Sequence, residues 1–67
     1  MRPIVYVVST ADGWLSYNDA TNELEYTADV EDAAIFSRAG ALSVAKRHNG
    51  HAWAYNLDTR KLRKVNH

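Results

Sequence analysis

Hydrophobic and polar positions fall into short alternating runs broken by turn residues, with one stretch of helical spacing in the second half. After Pro3, "IVYVVS" is rich in β-branched and aromatic residues and stops at "TADG", which predicts a first strand ending in a tight turn. "WLSYN" then alternates Trp14, Ser16 and Asn18 with Leu15 and Tyr17, a second strand in which either face could be the core. "DATNE" supplies turn chemistry, and Leu24 and Tyr26 alternate with acidic or hydroxyl positions, which suits a short third strand or a bulged extension. In "ADVEDAAIFS", Asp29 caps a brief helical turn whose start favours the charges of Glu31 and Asp32, and Ile35 and Phe36 are expected to enter the core. Ser37 caps a helix through "RAGALSVAKRHN", with Ala41, Leu42, Val44, Ala45 and the stem of His48 on one face and Asn49-Gly50 as its stop. "HAWAYNL" sets Trp53 and Tyr55, read as core, against Ala52 and Ala54; "DTRK" turns and "KLRKVNH" closes with a short strand. Strands outnumber the single good helix, so the expected fold is α+β: a small antiparallel sheet of about four to five strands with one helix across one face.

Sixty-seven residues make one domain, 1–67, because two pieces of such a chain would each be too small to bury a core. The absence of cysteine removes disulfides and thiolate zinc sites and fits a reducing cytoplasm. No run approaches a membrane span and the first ten residues lack signal-peptide features, so a chain that is neither exported nor membrane-bound is expected. Charge cancels overall but not along the sequence: residues 1–37 carry seven acids against Arg2, and residues 38–67 carry seven bases against Asp58.

"YVVSTADGWLSY", "YTADVEDAAIFS" and the alanine-rich "AGALSVAKRHNG" followed by "AWAY" together resemble small accessory proteins of bacteriophages. The resemblance spans nearly the whole chain, and its motifs are structural, so it transfers no catalytic or binding residue. It implies a phage or prophage origin and a cytoplasmic protein that binds a host enzyme or a defence complex and inhibits it.

The residues themselves offer little catalytic chemistry. His48, His51 and His67 lack a metal-ligand spacing, and capping or surface roles suit them better. Ser16, Ser37 and Ser43 lie outside any nucleophile elbow. Glu23 and Glu25 share a strand face as a general acid and base pair would, but so do ordinary solvated strand residues. The isolated glycines form no phosphate-cradling loop. No catalytic residue, metal or cofactor is therefore assigned, and an enzyme is the least favoured class. A nucleic-acid interface would use Lys46, Arg47, Arg60, Lys61, Arg63 and Lys64, but strand alternation splits that run between two faces. The favoured reading is stoichiometric protein binding. Trp14 and Tyr17, on opposite strand faces, supply buried area, and Asp19, Glu23, Glu25, Asp29, Glu31 and Asp32 steer the encounter. Opposite charge at two ends also allows two copies to attract one another as a homodimer.

Overall fold

The computed structural model describes residues 3–65. Its elements are β1 (Ile4–Thr10), β2 (Gly13–Asn18), β3 (Glu23–Thr27), a 3-10 turn (Val30–Asp32), α1 (Arg38–Arg47), β4 (His51–Asn56) and β5 (Leu62–Lys64). The strands form one five-stranded antiparallel sheet in the order β3-β2-β1-β4-β5, with α1 across one face. Asp29 and Ser37 cap as their sequence positions predict: the Asp29 side chain accepts from the Glu31 N–H and the Ser37 side chain from the Gly40 N–H. The helix is shorter than its apolar pattern, ending with His48 as C-cap, and Asn49 rather than Gly50 takes the left-handed conformation (φ 56°). The last strand is also shorter than expected, and Asn66 and His67 lie outside the described residues.

The sheet is centred on the β1–β4 ladder, in which Ile4–Ser9 pair with Asn56–His51. Small residues bring the helix close to it: Ala41 and Ala45 of α1 and Ala52 of β4 are buried with Val8 and Leu15, and Tyr6, Phe36, Leu42, Val44 and Val65 pack around them. Gly50 is what allows the close joint at the start of β4. A Cβ there would lie 2.1 Å from the Ser9 carbonyl oxygen.

The β1–β2 hairpin is forked. Its strands pair only at Ser9–Trp14 and Thr10–Gly13, next to the turn, and then separate. Residues 34–36 enter the fork, the Ala34 N–H donating to the Leu15 carbonyl (2.9 Å) and the Phe36 N–H to the Tyr6 carbonyl (2.8 Å). Because Phe36 bridges Tyr6 in extended conformation, its side chain joins Tyr6 on the helix side. Ile35, one residue earlier, is thereby turned outward and is 66% exposed, which corrects the expectation that both residues enter the core.

Trp53 and Tyr55 occupy the face away from the helix, the alanines having taken the near one. Tyr55 and Val7 are buried there and Trp53 is half-buried. Trp53 donates from Nε1 to Ser9 Oγ (2.8 Å), meets Trp14 edge-on with ring centroids 6.3 Å apart, and carries the Lys64 Nζ 5.7 Å from its ring centroid.

Candidate protein-binding surface

The β2–β3 and β4–β5 hairpins are closed by the same turn. In the first, the Asn18 carbonyl accepts from the Asn22 N–H (2.7 Å), and Asn18 Oδ1 accepts from the N–H groups of Ala20 (2.9 Å) and Thr21 (3.4 Å). In the second, the Asn56 carbonyl accepts from the Arg60 N–H (2.7 Å), and Asn56 Oδ1 from those of Asp58 (2.9 Å) and Thr59 (3.1 Å). The fifth residue of each is left-handed, Asn22 at φ 61° and Arg60 at φ 60°. "NDATN" and "NLDTR" share Asn at the first position and Thr at the fourth, a short repeat that the sequence carries.

On this common backbone the two hairpins carry opposite charge. Glu23 and Glu25 stand on β3 at one sheet edge, and Arg63 and Lys64 on β5 at the other. At least four strand spacings separate those edges, about 19 Å as a minimum because the fork widens the β1–β2 step, and this is roughly twice the distance over which physiological salt screens exposed charges. The edge charges therefore do not neutralise each other.

The helix-side face of β2–β3 is apolar and open. Leu15 is fully buried under the core, while Tyr17 (45% exposed), its cross-strand partner Leu24 (45%) and Tyr26 (49%), paired with Leu15, continue the same face beyond the helix. Sequence alternation marks Leu24 and Tyr26 as strand residues, and their exposure follows from α1 packing on β1 and β4. The opposite face carries Trp14, Ser16, Asn18, Glu23, Glu25 and Thr27. There Asn18 Nδ2 donates to Glu25 Oε1 (2.9 Å), and Ser16 Oγ donates to the Asp32 carbonyl (2.9 Å). Trp14 and Tyr17 thus belong to different faces, and Trp14 is half-buried against Trp53.

The acids form two groups. Asp19, in the turn, and Glu23 and Glu25 lie on the β2–β3 hairpin, all exposed. Asp29, Glu31 and Asp32 lie on the 3-10 turn, where Asp29 caps and Glu31 is engaged on both oxygens: Tyr55 donates its hydroxyl to Oε2 (3.2 Å) and Arg60 pairs with Oε1. Burial raises the Tyr55 hydroxyl above the ordinary tyrosine range, and its hydrogen bond to Glu31 acts in the same direction.

The cations do not form one stripe. Arg60 is held by Glu31, Lys64 lies over Trp53 on the face away from the helix, and Arg63, paired with Ala54, points to the helix side. There Arg63 borders an open depression with Tyr6, Arg38 and Val65, while Lys46 borders a separate one near His51. Arg47 and Lys61 are exposed in the last turn of α1 and just before β5. Among the described residues no three His, Asp or Glu side chains converge as metal ligands, and His67 lies outside them. No helix of the described residues is long and apolar enough to cross a membrane. Comparison with known proteins finds no matching family, curated protein or solved structure.

Proposed function

We propose that this chain is a protein-binding module that works through its β2–β3 hairpin. The observation that carries the reading is the open row of Tyr17, Leu24 and Tyr26, continuous with buried Leu15, with Glu23 and Glu25 on the other face of the same edge strand. Rings and a leucine at an exposed sheet face supply contact area, and the unneutralised acids at the rim orient the approach of a basic partner. In this reading Tyr17 is an anchor and Asp19, Glu23 and Glu25 steer. Trp14, Asp29, Glu31 and Asp32 serve mainly to hold the fork and the 3-10 turn in place. The resemblance to phage accessory proteins supplies the setting: a host or defence protein in the bacterial cytoplasm, inhibited by stoichiometric binding.

The test is capture from bacterial lysate by the wild type, by Tyr17→Ala/Tyr26→Ala and by Arg63→Glu/Lys64→Glu. The reading expects a partner that the first variant loses and the second retains. Equal capture by all three removes the hairpin from the account. Loss only in the second transfers function to the basic edge, where a nucleic-acid interface would be sought by salt titration.

A further inference from the structure

The outer edge of β3 has a defined set of free backbone groups. The Leu15 carbonyl accepts from Ala34, on the side of β2 that faces β1. In an antiparallel pair, residues alternate between those bonded to one neighbour and those facing the other way, so Leu15 is not bonded to β3, and Trp14, Ser16 and Asn18 are. Their partners are Thr27, Glu25 and Glu23. The N–H and C=O groups of Leu24 and Tyr26 therefore point away from the sheet, along an edge with no strand beyond it among the described residues. By the same reasoning, from the bonds of Asn56 to Lys61 and Val65 to Ala52, β5 turns Leu62 and Lys64 outward. That second edge is three residues long and carries lysine, the form in which an edge is guarded.

Building on the hairpin reading, we infer that β3 takes up an extended segment of its partner as a sixth strand, one that alternates lysine or arginine with apolar residues. The alternation of β3 dictates that chemistry. Glu23 and Glu25 line one face of the new pairing and Leu24 and Tyr26 the other. An incoming strand is thus met by carboxylates at every second position and by apolar surface between them. A second copy fits less well. A two-fold pairing of β3 with itself centred on Glu25 sets Glu25 opposite its counterpart, centred on Leu24 it sets Glu23 opposite Glu25, both like-charge contacts, and centred on Tyr26 it pairs only residues 25–27 of the strand. Pairing β3 with another copy's β5 spans only three residues, and the two strands run parallel when both helices lie on one face of the joined sheet.

The probe is a short capped peptide alternating lysine and valine, added to the intact chain while amide exchange is followed by NMR. Binding with slowed exchange at Leu24 and Tyr26 is expected. In the antiparallel register the valines lie opposite Leu24 and Tyr26 and donate to them, so a peptide N-methylated at its valine amides should not bind, nor should one with glutamate in place of lysine. Glu23→Lys/Glu25→Lys should shift preference toward the glutamate peptide by about tenfold. Equal binding of the N-methylated peptide, unprotected Leu24 and Tyr26 amides, or a dimer of the free chain that Leu24→Pro abolishes would each overturn the added strand. Proline at 24 removes an outward N–H and leaves the β2–β3 ladder intact, whereas Leu24→Ala removes only the side chain. If Tyr17→Ala/Tyr26→Ala loses the lysate partner while Leu24→Pro and Leu24→Ala capture it equally, the hairpin reading stands and the sixth strand does not.

Discussion

The two hairpins close with the same turn and differ in what supports them. The β4–β5 hairpin is built on a strand whose six residues all pair with β1 and which buries Ala52 and Tyr55. The β2–β3 hairpin joins β1 over two residue pairs and the inserted 34–36 segment, and β3 buries nothing. Identical turn geometry therefore serves one hairpin that holds the fold together and one that extends from it. The extended one can carry apolar rings and acids in solvent because its outer strand is not needed to enclose the core.

Each hairpin is entered through a glycine, and these give the sharpest contrast. Gly50→Ala places a Cβ 2.1 Å from the Ser9 carbonyl oxygen and breaks the β1–β4 joint, which should cost about 4 kcal/mol or more in urea unfolding. Gly13→Ala meets the Thr27 carbonyl oxygen at 2.8 Å from a φ of 126° and should cost about 2 kcal/mol. If Gly13→Ala proves the more damaging, the assignment of the β1–β4 ladder as the centre of stability is wrong. Within the β2–β3 hairpin, Leu15→Ala should lose about 3 kcal/mol, because Leu15 is fully buried. Leu24→Ala should stay within about 0.5 kcal/mol, and a large loss there would show that the open face is structural.

Exchanging the left-handed residues compares the turns directly. Asn22→Arg should cost about 1 kcal/mol, since arginine is strained where asparagine is tolerated. Arg60→Asn should change stability by less than about 0.5 kcal/mol, relief of the same strain offsetting the exposed pair with Glu31. The smallest effect is a slope. The raised Tyr55 hydroxyl keeps its proton more tightly in the folded chain, so its contribution is present below about pH 10 and is lost as pH rises beyond it. In Tyr55→Phe that part of the alkaline decline in melting temperature should be absent.

Most elements were legible because they depend on neighbours in sequence. Alternation marked the strands, and Asp29 and Ser37 announced their caps. What sequence could not show depends on distant pairing. Nothing local says that β1 lies between β2 and β4, that Leu15 hands its carbonyl to Ala34, or that Ile35 faces out once Phe36 bridges Tyr6. The charge asymmetry was plain, but its placement at opposite edges needed the strand order. The engagement of Arg60 and Glu31 needed the 3-10 turn set over Tyr55. Leu24 and Tyr26 were visible as apolar residues, and only the extent of the helix decided that they would be left uncovered.

The central ladder joins residues 4–9 to residues 51–56, and this has a consequence during synthesis. Strand β1 emerges as "IVYVVST", uncharged and β-branched, and most of its pairing surface waits until residues 51–56 have been made. Over that interval it has the composition of an aggregating segment. Any premature stop before β4 leaves that strand without its main cover, so such fragments should collect in inclusion bodies rather than persist as free peptide.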